Sequence, residues 1–132
     1  MNQKFPDKLH FDDAGMKGGS RLLMITAPFR FRSPRGIITV PAGFVTDGAS
    51  VPRIFWNIFS PFGSYFRAAV IHDYLYSPLN AKFNRKQSDG IFLDGMRELG
   101  VGWLKRKMIY RAVRMFGMRS FKSPVKGPTN HR

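Results

Sequence analysis

Few side chains in this chain can move protons. Its histidines are His10, His72 and His131, and only His72 lies away from the ends. The carboxylates are Asp7, Asp12, Asp13, Asp47, Asp73, Asp89, Asp94 and Glu98. His72 and Asp73 are adjacent in the run Ala68-Ala69-Val70-Ile71-His72-Asp73-Tyr74-Leu75-Tyr76, and Asp89 follows further along. A carboxylate on one imidazole nitrogen fixes the tautomer, orients the ring and stabilises the imidazolium formed when the other nitrogen takes a proton, which is what a general base requires. Asp73 projects about 100° around a helix from His72 and cannot serve the same ring. It can instead meet the Asp47-Gly48-Ala49-Ser50 loop, where a second carboxylate and backbone carbonyls offer hard oxygen ligands of the kind Ca²⁺ accepts. The same residues also read structurally. A single histidine on an apolar helix is commonly a satisfied buried residue, Asp73 can cap a loop or pair with Arg85, and Asp47 to Pro52 is a turn in which Gly48 supplies a permissive backbone.

Leu22 to Phe31 and Ile37 to Val45 are rich in β-formers and are separated by Arg32-Ser33-Pro34-Arg35-Gly36, a hairpin signal. Pro41 and Gly43 make the second run an edge or bulged strand. Residues 52–60 read as a short helical turn or loop, broken by Pro61-Phe62-Gly63, and Ser64 is an N-cap candidate for a helix running to about Tyr76. Ser77 to Phe83 is a connection containing Pro78 and Asn80. A second helix from Asn84 to about Leu99 carries Ile91, Phe92, Met96 and Leu99 at helical spacing, and a third over 101–116 places Leu104, Met108, Ile109, Ala112, Val113 and Phe116 on one stripe. The expected fold is α+β: a small N-terminal β-hairpin followed by three main helices. Residues 1–20 read as an N-terminal arm, 21–116 as a single domain and 117–132 as a basic C-terminal tail.

Tyr65, Ala69, His72 and Tyr76 share one face of the first helix, and Asp89, Phe92 and Met96 one face of the second. If the connection makes these helices antiparallel, His72 and Asp89 lie at one depth, about 7.5 Å from it by the helical rise. Asp89 then reaches the His72 ring, with Tyr76 and Arg85 nearby.

Composition narrows the partners. The chain has 132 residues, no cysteine and a net charge of +14. That excludes disulfides and thiolate chemistry and favours a polyanionic partner. No acidic residue follows Glu98, and Lys107, Arg111 and Arg114 form one cationic row on the last helix, suited to phosphates of lipid headgroups or nucleic acid. Ile54-Phe55-Trp56-Asn57-Ile58-Phe59, beside Pro61, Phe62, Tyr65 and Phe66, closes the core or forms an apolar approach to the Asp47 loop. There is no spanning apolar run and no signal-peptide pattern, so the expectation is a soluble cytoplasmic protein, peripheral on a membrane or virion-associated.

The stretch from Phe44 to Met96 resembles a family of small tailed-bacteriophage and prophage proteins of unknown function, through Thr-Asp-Gly-Ala-Ser-Val-Pro-Arg at 46–53 and the 68–76 run quoted above. More distantly, the order Asp47-Gly48, Ser50, Pro52, Pro61-Phe62-Gly63, His72-Asp73, Tyr76, Asp89 and Phe92 is similar to the core of prokaryotic secreted phospholipase A(2), with its antiparallel helix pair. That resemblance implies His72 as the base activating water, Asp89 as its orienting partner, and Asp73 with Asp47 and the Gly48 carbonyl as Ca²⁺ ligands. It departs from that family in having no disulfides, and the hairpin and basic helix lie outside the match. Ser50, His72 and Asp89 can also be imagined as a hydrolase triad, but Ser50 does not sit in a Gly-x-Ser-x-Gly elbow. The leading expectation is a phage-associated, Ca²⁺-dependent phospholipase A(2)-like hydrolase on an anionic phospholipid membrane. The alternative is a non-enzymatic phage structural or assembly protein whose basic helix docks on an acidic phage protein or membrane. Nucleic-acid binding ranks below both, because no recognised motif accompanies the charge.

Overall fold

The computed structural model describes residues 3–18, 20–46 and 66–125. Among the described residues five strands precede three helices: β1 Phe11–Lys17, β2 Ser20–Ile25, β3 Phe29–Ser33, β4 Gly36–Val40, β5 Val45–Thr46, α1 Phe66–Tyr76, α2 Arg85–Glu98 and α3 Trp103–Phe116. This is the expected α+β class, a β region followed by three helices.

The hairpin signal marks β3 and β4, which pair antiparallel with Ser33 opposite Gly36. Ser33 Oγ donates to the Gly36 carbonyl at 2.7 Å, and Gly36 takes the positive φ of 135° that closes the turn. The first β-forming run does not continue as one strand. It divides into β2 and β3, which belong to different sheets: an antiparallel β1-β2-β5 sheet and the β3-β4 pair.

Residues 3–18, within the segment expected as an arm, are built into the fold. Phe5 is buried and stacks on Phe31 at 4.4 Å between ring centroids. Asp7 grips Arg30 through both carboxylate oxygens, each bond 2.9 Å, and these hydrogen bonds hold the Asp7 carboxyl below its ordinary range. The strand β1 is largely exposed and is held by its backbone ladder to β2, with a bulge between Asp13 and Met16.

Two apolar clusters flank α1. On one side Ile25, Phe29, Phe31, Ile38, Val40 and Phe5 from the β region meet Val70, Ile71 and Leu75, with Ile91 of α2. On the other, Ala68 and Ala69 meet Phe92 and Met96 of α2, and Val101 and Ile109 beyond. The α1–α2 crossing is close at Gly95, where an added Cβ would lie 3.2 Å from the Ala68 Cβ. Ala68 near the start of α1 therefore meets Gly95 near the end of α2, and the pair is antiparallel.

The turn between them is fixed by buried Asn80. Its amide donates to the Leu75 and Phe83 carbonyls at 2.7 Å each, and its Oδ1 accepts from the Lys82 and Phe83 amides. Asn84 then caps α2 in a reciprocal capping box with Gln87. The expected C-terminal tail also docks in part. The Lys122 amide donates to the Tyr76 carbonyl at 2.6 Å, Ser123 Oγ donates to the Asn80 carbonyl at 2.6 Å, and Phe121 meets Tyr76 edge-on.

The third helix departs from expectation. Ile109 and Ala112 are buried, but Leu104, Met108 and Phe116, expected on the packed stripe, are exposed. Among the described elements α3 packs chiefly on α2 and on the 3₁₀ turn Met118–Ser120, so only one edge of its apolar surface finds a partner.

Candidate functional site

The antiparallel pair brings His72 and Asp89 together at the depth the spacing predicts. His72 Nε2 lies 2.8 Å from Asp89 Oδ1, and the Tyr76 hydroxyl, one turn further along α1, donates to the same oxygen at 2.6 Å. The His72 ring is stacked on Phe92 at 4.4 Å and tilted against Tyr76 at 4.2 Å. His72, Tyr76 and Asp89 are all buried. This aromatic sandwich holds the imidazole in one orientation, with Nε2 committed to the carboxylate.

The second oxygen of Asp89 is taken from the other side. Arg114 of α3, expected in the surface cationic row, turns inward and donates from Nη1 to Asp89 Oδ2 at 2.7 Å. Arg85, 1% exposed, donates from Nη2 to the Val113 and Arg114 carbonyls at 2.8 and 2.5 Å, so it closes the carbonyl end of α3. Asp89 thus joins all three helices, Oδ1 to α1 and Oδ2 to α3. Arg114 balances the carboxylate charge whether or not the imidazole holds a second proton.

The electrostatics follow. Burial pushes the Asp89 carboxyl up, but hydrogen bonds from His72, Tyr76 and Arg114 outweigh it and hold the group below the usual carboxylate range. Burial, and after it the neighbouring Asp89 charge, push the Tyr76 phenol up, so Tyr76 acts here as a proton donor to the carboxylate.

The remaining candidates separate. Asp73 is half-buried on α1 beside His72. Asp47, Gly48 and Ser50 lie outside the described residues, as do Tyr65 and the aromatic segment at 54–62. Among the described residues no group of three or more His, Asp or Glu side chains converges as a metal site. Lys107 and Arg111 are exposed on α3, with Lys107 Nζ over the Trp103 ring at 5.1 Å. The inward role of Arg114 was missed because one cation among nine beyond Gly100 carries no mark of its partner. Phe92 as the ring's stacking partner was legible only as a residue on the Asp89 face.

No helix among the described residues is long and apolar enough to cross a membrane. No solved structure matches the chain. Uncharacterized protein y4jT of Sinorhizobium fredii is 38% identical over 99 residues, covering 73% of this chain but 29% of that protein, so the chain spans less than a third of this relative's length. A family model described as protein of unknown function (DUF1353) matches residues 23–113, which takes in His72, Tyr76, Arg85 and Asp89 with the helices that carry them. With well over half of its length matched and the whole of the α1–α2 site inside the match, the chain belongs to the DUF1353 family.

Proposed function

We propose that this chain is a phage-associated, phospholipase A(2)-like hydrolase that cleaves a phospholipid ester at an anionic membrane with Ca²⁺ assistance. The observation that carries the reading is the 2.8 Å contact of His72 Nε2 with Asp89 Oδ1, braced by Tyr76 on the same oxygen. With Nε2 so committed, Nδ1 is the nitrogen left for base chemistry. In the reaction proposed, Nδ1 takes a proton from water as the water oxygen bonds to the acyl carbonyl carbon. The tetrahedral species then expels the glycerol oxygen, which receives the proton back from the ring. Asp89 holds the ring's tautomer and balances the transient imidazolium. Ca²⁺, held by Asp73 with Asp47 and the Gly48 carbonyl, would polarise the ester carbonyl. The phage setting rests on the motifs at 46–53 and 68–76.

The test is fatty-acid release from anionic phospholipid vesicles by wild type and His72→Gln, with Ca²⁺ and with chelator. Gln can keep a donor on Asp89 and fill most of the ring's volume, whereas Ala would leave a cavity between Phe92 and Tyr76. We expect hydrolysis to fall by roughly 10²- to 10⁴-fold in His72→Gln, with the unfolding midpoint little changed. Equal release by the two folded proteins, or none from wild type, sinks the assignment.

A second reading is favoured by Arg114 on Asp89 and by the burial of both dyad members. A carboxylate neutralised by an arginine and shared by three helices is also what a structural polar lock requires. In that reading the chain is a non-enzymatic phage structural or assembly protein docking through its basic helix on an acidic phage protein. A folded wild type without hydrolysis and without a Ca²⁺-dependent rise in melting temperature favours it.

A further inference from the structure

The outer face of α3 combines two features that are rarely left in water together. Leu104, Met108 and Met115 are 63%, 39% and 72% exposed. By helical geometry they lie within an arc of about 40°, over a length of roughly 16 Å. Arg111 and Lys107 border the stripe on one side, and Trp103, 63% exposed, stands beyond them with its ring under Lys107 Nζ. An apolar ridge edged by cations and an exposed tryptophan is the pattern of a helix lying in the plane of a bilayer interface. Apolar side chains there enter the acyl boundary, long cationic stems reach headgroup phosphates, and the indole sits at headgroup depth.

We infer that α3 is an interfacial helix that inserts Leu104, Met108 and Met115 into an anionic bilayer, with Lys107 and Arg111 on its phosphates. The choice of membrane rests on the proposed function, but insertion is independent of hydrolysis. A second copy of the chain is a poor occupant of this face. No acidic residue follows Glu98, so α3 set against itself would place one Lys107–Arg111 row against another with nothing to neutralise either.

The test uses the full chain carrying Trp56→Phe, which leaves Trp103 as the single indole reporter. It is mixed with phosphatidylcholine vesicles with and without phosphatidylglycerol. On the anionic vesicles Trp103 emission shifts to the blue and is quenched by bromine-labelled acyl chains. Leu104→Ser, Met108→Ser and Met115→Ser together weaken partitioning by about a hundredfold with unchanged helical circular dichroism. Lys107→Ala with Arg111→Ala weakens it by about thirtyfold at low salt, and the difference shrinks at high salt. Three results overturn the inference: binding abolished by salt with no Trp103 shift, no binding by the folded chain, or a wild-type dimer that the triple serine variant converts to monomer. His72→Gln separates this inference from the enzymatic one. Insertion without fatty-acid release by wild type overturns the hydrolase alone, and release without a Trp103 shift overturns insertion alone.

Discussion

Asp89→Asn is the perturbation that most directly tests how the three helices are held. The carboxylate takes His72 Nε2 and the Tyr76 hydroxyl on Oδ1 and Arg114 Nη1 on Oδ2. An amide keeps one acceptor and replaces the other by a donor. If its nitrogen faces Arg114, two donors confront each other and the guanidinium loses its counter-charge. If it flips, the imidazole must change tautomer and the phenol must become an acceptor. Breaking a buried pair from one side costs about 3–5 kcal/mol. The Arg114 side chain is 21% exposed and can turn toward water, and the flipped arrangement recovers part of the bonding. Both reduce the loss to about 2–3 kcal/mol, which lowers the urea midpoint by roughly 1–2 M at the m-value of a chain this size. The pH dependence follows from the depressed Asp89 carboxyl. Its contribution is fully present above the ordinary carboxylate value and is lost as pH falls through the lower folded value. The gap between wild type and variant therefore closes as pH falls below the ordinary carboxylate value of about 4. Urea unfolding followed by circular dichroism from neutral to acid pH measures it. A gap under about 0.5 kcal/mol at neutral pH, or one that widens in acid, refutes the reasoning.

Phe5→Ala, at a position expected in a loose arm, removes a ring stacked on Phe31 and Phe29 and should cost about 3–4 kcal/mol, read as a lowered urea midpoint; a surface-like change would show that the N-terminal segment does not belong to the core. Gly95→Leu forces a branched side chain into the crossing where even a Cβ lies 3.2 Å from the Ala68 Cβ and 3.4 Å from the Phe5 ring. It should destabilise by about 2 kcal/mol or more by calorimetry, and neutrality would show that α1 and α2 do not approach so closely.

The sequence exposed the His72–Asp89 pair because equal depth from a short connection is a strong constraint. It needs only that the two helices start and stop near Tyr76 and Asn84, and the Asn84 capping box and the Asn80 hydrogen bonds enforce that limit. The α1 helix was legible too, ending at Tyr76 as its sequence predicts, and it is buried continuously from Ala68 to His72 because apolar clusters cover both of its sides. The N-terminal strand was not. Phe11–Lys17 has no alternating apolar face, because β1 is held to β2 by backbone hydrogen bonds rather than by a buried surface, and periodicity records burial. Phe5, the Asp7–Arg30 pair and the carbonyls of Lys4 and His10 anchor the preceding residues, and one aromatic among scattered polar contacts makes no periodic pattern. Periodicity did place Leu104, Met108 and Phe116 on apolar positions of α3. It cannot tell whether such a face meets protein or something else, and here they are exposed.

Arg114 changes the arithmetic of that outer face. Counted with Lys107 and Arg111, it would make three cations available to a phosphate surface, each contributing about 1 kcal/mol near an anionic leaflet. Its guanidinium is bonded to Asp89 Oδ2, and moving it outward would leave the buried carboxylate without its compensating charge, a loss comparable to or larger than the gain at the membrane. The working row is therefore Lys107 and Arg111, supplying about 2 kcal/mol, which salt weakens and which corresponds to weak association by itself. Lasting attachment needs a further term that salt does not screen. The exposed side chains of Leu104, Met108 and Met115 can supply it, because each transferred methylene contributes about 0.8 kcal/mol on leaving water. The inward turn of one arginine thus shifts the burden of docking from charge to the apolar stripe, and salt-resistant binding becomes the quantity that distinguishes this helix from a merely cationic one.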